Sequence, residues 1–325
     1  MDFHLDDDQR ALQETVAQFC TSRWPIEGLA DRSIHAFERN AWKEYVELGL
    51  PGLLAQESNG GLALGCVEGT IAFEQLGRHL VPGPLLWSAL AALLVPDVAK
   101  GALVATGIEG RADAPHFVEH LMPADVVLVL RADGVSLVER DAVDATSVDE
   151  PFDPLAPLHA LRALPAGRAI GGRREAEHLT RVGTLLTASL QLGIAQATLD
   201  VAVGYALERE QFGVPIGSFQ ALKHIMADMY VRVGLARSAT YAAAAVLDDP
   251  EVGHVLRSLA GAKLLAGEAA VDNAKAAVQV LGGMGFTWEM VPHFFLKRAL
   301  ALDYAFGTPR RQALAISDSL AEEIA

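Results

Sequence analysis

The chain has 325 residues, a formal net charge of −15 and an isoelectric point near 5.1. That length allows a large core and two or three domains, and that acidity argues against binding nucleic-acid phosphates, which needs clustered Lys and Arg. Hydrophobic residues make up 51% and aromatic residues 6%, with Ala and Leu dominant, which favours close-packed helices over an all-β fold.

The chain opens Met1-Asp2-Phe3-His4-Leu5-Asp6-Asp7-Asp8. It is acidic where a secretory leader is basic, so no signal peptide is expected and the location is expected to be cytoplasmic. Asp6 to Phe19 carries Leu12, Val16 and Phe19 at helical spacing with an acidic first turn. Trp42, Tyr45, Val46 and Leu48 form a second stripe, closed by Gly49-Leu50-Pro51-Gly52. Asn59-Gly60-Gly61 is a turn, and Glu68 to Leu80 a third helix. The longest apolar run, Leu85 to Val95, lies between Pro84 and Pro96. It is too short to span a bilayer and is expected to be a core helix, with no membrane partner. Cys20 and Cys66 stand in no CxxC spacing. Both are expected to be buried reduced thiols, with no zinc site or disulfide framework.

The middle changes character. Asp125 to Leu130 and Val135 to Val138 are β-branched runs on either side of Asp133-Gly134, a hairpin signal. Pro151, Pro154, Pro157 and Pro165 then break the chain into loop and edge segments. From Glu175 the pattern is helical again. Leu179, Val182, Leu186, Leu190, Gly193 and Ala197 share a face, and further helices are expected over Ala221 to Asp248, Gly253 to Leu281 and His293 towards Ile324. Small residues at Tyr241 to Ala245 and Ala260 to Ala270 allow close helix approach, so four antiparallel helices fit. The expected organisation is mainly α with a small β insert: a helical region over residues 1–100, a β unit over 101–173 and a helical bundle over 174–325.

Two blocks carry candidate chemistry. Arg209-Glu210-Gln211-Phe212-Gly213 ends a helix, and Phe219-Gln220 opens the next. The Arg209 guanidinium suits a diphosphate or ribose, Phe212 an adenine or flavin edge, and Gln220 the same ligand. An Arg that only caps a helix is the plainer reading of that block alone. Gln279 precedes Gly282-Gly283-Met284-Gly285-Phe286. Such a turn ends a helix and lets backbone N–H groups approach phosphate oxygens. No strand precedes it, so it is not a Rossmann fingerprint.

Together these blocks resemble the acyl-CoA dehydrogenase family. The resemblance rests on Arg209, Phe212, Gly213, Gln220, Gln279, Gly282, Gly283, Gly285, Phe286 and Glu289, on Ala227-Asp228-Met229, and nearer the N-terminus on Phe73-Glu74-Gln75-Leu76-Gly77-Arg78. It covers the N-terminal helical region and the whole C-terminal bundle. It implies a family fold with a middle β-domain. It also implies that Arg209, Phe212, Gln220, Gln279, Gly282 and Gly283 reach the AMP and diphosphate part of an FAD held mainly by a neighbouring subunit.

Two departures narrow that implication. The flavin-ring and acyl-CoA loops of the family's β-domain have no counterpart between Gly101 and Arg173. The family's catalytic glutamate occupies one of two slots, which here hold Phe306 and Gly183. Neither residue takes a proton. Hence the resemblance points to a shortened, non-catalytic subunit of an α2β2 enzyme, as in bacterial steroid side-chain degradation. A catalytic partner, an acyl-CoA substrate and an electron-transfer acceptor are implied, with FAD shared between subunits. Two alternatives stand beside it: a homomeric flavoenzyme with Glu289 or Asp303 as a relocated base, and a structural paralogue without flavin. Glu289 reads as a bundle-end surface acid, Asp303 as a helix-face acid, and His224 and His293 as helix-surface or interface residues.

Overall fold

The computed structural model describes residues 5–29, 37, 39–111 and 115–324. The first four residues of the acidic start lie outside that description. Asp6 shows how sequence becomes structure at the first helix, α1 (Asp7–Arg23). Its carboxylate accepts from Gln9 N at 2.8 Å, while Gln9 Oε1 accepts from Asp6 N at 3.2 Å. This reciprocal cap satisfies N–H groups that a helix start leaves open. Helices α2 (Arg39–Glu47), α3 (Cys66–Arg78), α4 (Leu85–Ala92) and α5 (Pro96–Ala99) follow. Helix α4 is buried throughout most of its length, as a core helix should be. Cys20 is buried, but Cys66, the first residue of α3, is only half-buried.

The chain divides into two compact units. One comprises Arg32–Gly69 and Pro82–Gly183, the other Met1–Asp31, Thr70–Val81 and Thr184–Ala325. In the former, Tyr45 Oη donates to Pro82 O (2.9 Å) and Trp42 Nε1 to Gly101 O (2.9 Å), which pins α2. Seven strands follow: β1 (Ala105–Glu109), β2 (His116–Glu119), β3 (Val126–Arg131), β4 (Gly134–Glu139), β5 (Ala145–Ser147), β6 (Leu158–Leu161) and β7 (Arg168–Gly172). They form a four-stranded sheet ordered β1-β3-β4-β7 and a three-stranded sheet ordered β2-β6-β5. Ile108, Val118, Val127, Val129, Val138 and Leu161 share one hydrophobic cluster. The β3–β4 hairpin forms, but its turn is Ala132-Asp133, one residue earlier than Asp133-Gly134, because Arg131 pairs with Gly134. The glycine serves the sheet instead: a Cβ on Gly134 would stand 3.0 Å from Gly171 O of β7.

The other unit holds the long helices α6 (Arg173–Glu208, from Thr184 onward), α7 (Gln220–Asp248) and α8 (Val255–Leu281), then α9 (Pro292–Leu302) and α10 (Pro309–Ile324). The most apolar window of α6 is 89% buried, the environment of a core helix. Glycines set the approach of α3 to α6. A Cβ on Gly77 would sit 2.2 Å from Leu190 O, and one on Gly193 2.1 Å from Glu74 O. The last expected helix, His293 towards Ile324, is split in two. Phe306 (φ 52°) and Gly307 (φ 106°) adopt left-handed backbone just before Pro309, which ends one helix and starts the next.

Candidate nucleotide-binding site

The turn after α6 is more ordered than a helix end. Arg209 N still donates to Tyr205 O (2.9 Å), and Arg209 O accepts from Ile216 N (2.8 Å). Between them β8 (Glu210–Gln211) pairs with β9 (Val214–Pro215), so Phe212 and Gly213 form the tip of a two-residue hairpin. Both have positive φ, 57° and 80°, the combination that matches hairpin twist. Glycine adopts it freely; a bulky aromatic does so at a cost. Phe212 is 94% exposed and meets Phe219 edge-on, with centroids 6.2 Å apart. Arg209 and Gln220 are exposed as well. The chain thus holds a strained aromatic out of its own core, next to an exposed guanidinium and an exposed amide.

The second block closes α8. Gln279 is exposed, and its carbonyl accepts the N–H of Gly282, which has φ 63° and ψ −140°, a backbone shape kept for glycine. A Cβ on Gly282 or Gly283 would meet nothing within 4 Å, so the backbone there is open to an approaching ligand. Gly285 differs. It is buried, and its Cβ would press on Val278 O at 2.7 Å, so that glycine is there for packing.

Buried Asn273 brings the two blocks to one end of the bundle. Its Nδ2 donates to Met229 O on α7 (3.1 Å) and to Ala195 O on α6 (3.2 Å). Gln220 lies nine residues before Met229, and Gly282 nine after Asn273. Helices α7 and α8 are joined by the short connection 249–254 and run antiparallel. At 1.5 Å per residue both ends stand about 13 Å beyond the same bond. Arg209, fourteen residues past Ala195, follows the end of α6 on that side. No motif marks Asn273; its only signal is an amide among the buried alanines of α8.

The remaining candidates separate. Phe306 is 4% exposed, and its carbonyl accepts from buried Gln312 Nε2 at 2.8 Å, which locks the left-handed turn. Gly183 is buried on α6. Glu289 is exposed, as a surface acid should be, and so is His224. Asp303 is not a plain helix-face acid. It caps α9 with Oδ1 turned inward to Gln191 Nε2 (2.8 Å), and burial raises its pKa against the opposing charge of Lys263. His293, expected at a helix surface or interface, is 4% exposed, because Pro292 starts α9 and places it in the buried first turn. Trp288 packs on it, with ring centroids 5.4 Å apart. Among the described residues no cluster of three or more His, Cys, Asp or Glu could hold a metal ion.

Residues 6–102 match the acyl-CoA dehydrogenase N-terminal domain, and residues 171–321 the acyl-CoA dehydrogenase C-terminal domain. Acyl-CoA dehydrogenase IpdE2 of Mycolicibacterium smegmatis is 33% identical over 320 residues, 95% of this chain and 97% of that protein. The chain belongs to the acyl-CoA dehydrogenase family. Its full-length match to IpdE2 shows that a chain of this short span recurs in the family. One chain of the ChsE4-ChsE5 complex from Mycobacterium tuberculosis superposes with a TM-score of 0.84 at 25% identity, over 99% of each chain. A variant of the Tcur3481-Tcur3483 steroid ACAD shares the fold at a TM-score of 0.83 and 24% identity, over 98% of this chain and 99% of that one.

Proposed function

We propose that this chain is the non-catalytic subunit of a heteromeric, FAD-dependent acyl-CoA dehydrogenase, with an α2β2 assembly and one flavin per heterodimer. Phe306 carries the reading. Where the family keeps a proton-accepting carboxylate, this chain buries an aromatic ring on a backbone locked by Gln312. The inward-facing Asp303 and the solvent-exposed Glu289 make poor substitutes for a base. The similarity to a chain of the ChsE4-ChsE5 complex supports a second, different subunit.

The exposed set at the bundle end fits the nucleotide half of FAD. Arg209 would pair with the diphosphate, Phe212 would cover an adenine or flavin edge, and Gln220 and Gln279 would bond the AMP portion. The open backbone of Gly282 and Gly283 would accept close approach of phosphate oxygens. When bound, FAD supplies the hydride acceptor for dehydrogenation of an acyl-CoA to its trans-2-enoyl-CoA. The α-proton goes to a carboxylate of the partner subunit. An electron-transfer protein would serve as the acceptor of the complex. The short β unit and the likeness to a steroid ACAD favour a bulky acyl group such as a steroid side chain, and a cytoplasmic setting suits that chemistry.

Expression alone and with the acyl-CoA dehydrogenase encoded beside it tests the proposal. The lone chain should be colourless and inert, and the co-complex should show a flavin spectrum and reduce dye with acyl-CoAs. Colour and turnover from the lone chain would overturn it. A colourless, inert co-complex would identify a structural paralogue. Arg209→Ala should lower flavin retention by about tenfold, the loss of one charge-assisted contact; unchanged flavin content would remove Arg209 from the site.

A further inference from the structure

The start of α1 and the second half of α7 leave a cleft of about 350 Å³ between them, lined by Leu5, Gln13, Arg237, Ser238 and Tyr241. All five residues belong to one compact unit, and none is among those assigned to the nucleotide. A volume of that size suits a small organic ligand. Gln13 is the odd residue in the wall. It is spaced i, i+3 and i+7 with Val16 and Cys20, both fully buried, so it stands on the inward side of α1. An apolar side chain there would extend the stripe. Instead the position holds a half-buried amide, with two N–H donors and one oxygen acceptor, that forms no hydrogen bond among the described residues. Only water or a ligand can satisfy it, and a polar group turned inward without a protein partner is the kind of local conflict found at binding sites.

The surroundings of the cleft are fixed in place. Arg10 Nη1 donates to Leu5 O, and the reciprocal cap of Asp6 and Gln9 sets the turn that carries Leu5. On the α7 side, Arg237 donates through Nη1 to Glu74 and through Nη2 to Gln196, and Tyr241 Oη donates to Glu74. Two of the five guanidinium N–H groups are used in this way, which leaves three without a partner among the described residues. Tyr241 has given its proton to Glu74, and Ser238 gives its own to Gly234 O (3.0 Å), so each offers an oxygen acceptor. Unused N–H groups on Arg237 and Gln13 therefore outnumber the acceptor oxygens of Gln13, Ser238 and Tyr241. Charge is already balanced: Arg237 is paired with Glu74, and Arg10 with Asp7. An ion entering here would lose water and find no unpaired opposite charge.

We propose that this cleft is a binding site for a small uncharged molecule with an apolar body and a carbonyl oxygen. The oxygen takes the unused N–H groups of Arg237 and Gln13, and the body lies against Leu5. The site is built from this chain's own residues and needs neither flavin nor a second subunit, so its test stands apart from flavin retention by the complex.

Acetophenone is titrated into the full-length chain, without flavin, and followed through the Leu5 methyl resonances. Saturable binding with a Kd of about 1 mM or tighter is expected for a ligand of this size. Benzoate and benzylamine, charged molecules of similar bulk, should bind about tenfold more weakly or worse. Gln13→Leu makes the wall more apolar, so weaker binding in that variant reports a lost hydrogen bond. A fall of about fivefold is expected, with the melting temperature not lowered. Ser238→Phe, at an exposed position on α7, fills the cleft and should abolish binding while the chain stays folded. Four outcomes overturn the proposal: no saturable binding, equal affinity in Gln13→Leu, equal affinity in Ser238→Phe, or a charged probe binding as tightly as acetophenone. Loss of a partner subunit from Ser238→Phe, with no acetophenone binding in the parent chain, overturns it too and marks a protein-docking cleft.

Discussion

Phe212 is held in a left-handed conformation with its ring almost wholly in water. Neither property stabilises the isolated chain, and strain of this kind costs on the order of 1 kcal/mol. Asparagine tolerates that conformation better. Phe212→Asn is therefore expected to leave the melting temperature of the lone chain unchanged or raise it slightly, while the co-complex retains less flavin. A lower melting temperature with full flavin content would make Phe212 a folding residue. His293 gives a pH prediction. Burial first, and then Lys297, lower its pKa from 6.5, against a smaller opposing bond with Thr287. The folded chain thus binds this proton less readily than the unfolded one, and stability falls as pH drops from 6.5 through the lower folded value. His293→Gln should remove that part of the decline, so the gap between parent and variant should change with acidity in the window that opens below the ordinary histidine value of 6.5. A constant gap would show that the ring does not titrate in that window.

At the scale of elements, one carboxylate joins three helices. Glu74 on α3 is 1% exposed. Its Oε1 accepts from Arg237 Nη1 and its Oε2 from Tyr241 Oη (2.9 Å), both on α7. Arg237 Nη2 reaches Gln196 Oε1 on α6 at 3.0 Å. Burial, and then the Glu74 charge, raise the Tyr241 hydroxyl far above its usual pKa, so it remains a donor. Glu74→Ala would strand Arg237 and the Tyr241 hydroxyl. The expected loss is about 3 kcal/mol, the lower end for a broken buried pair because Arg237 partly reaches water. A loss below about 1 kcal/mol in urea unfolding would show that water replaces the carboxylate. The sequence displayed Glu74 as part of a motif but not its role, since Arg237 lies 163 residues away. Local signals fared better. An apolar run between prolines located α4, helical patterning located α7, and β-branched runs located β3 and β4. The break at Phe306-Gly307 was hidden because an aromatic at positive φ has no local signature, and the bond from Gln312, six residues on, helps to hold it. The residues proposed to face the nucleotide were legible as motifs, whereas their meeting at one bundle end involves Asn273, whose partners are 78 and 44 residues distant.

For the whole molecule, the question is what covers the apolar surface left open. Val203, Leu207, Phe219, Tyr230, Val231 and Leu235 are all exposed, from the last turns of α6 to the middle of α7. Single exposed apolar residues are ordinary, but Val231 and Leu235 present two aliphatic side chains on one exposed face of α7. Val231 and Leu235 are one helical turn apart with Tyr230 beside them, an arrangement that suits a partner helix. The block proposed to face the nucleotide follows the same helices to their ends, so covering this face with the proposed catalytic subunit would also bring Arg209 and Phe212 to the proposed shared flavin. Val231→Asp with Leu235→Asp places two charges where burial is expected, and an unpaired buried charge is strongly unfavourable. Both positions are exposed in the lone chain, so its helical content should not change. The double variant is expected to lose co-purification with the catalytic subunit, and with it the flavin and acyl-CoA-dependent dye reduction. Retention of the complex at parental yield would place the interface elsewhere, whereas loss of flavin from an intact complex would show that this face positions the nucleotide without holding the subunits together.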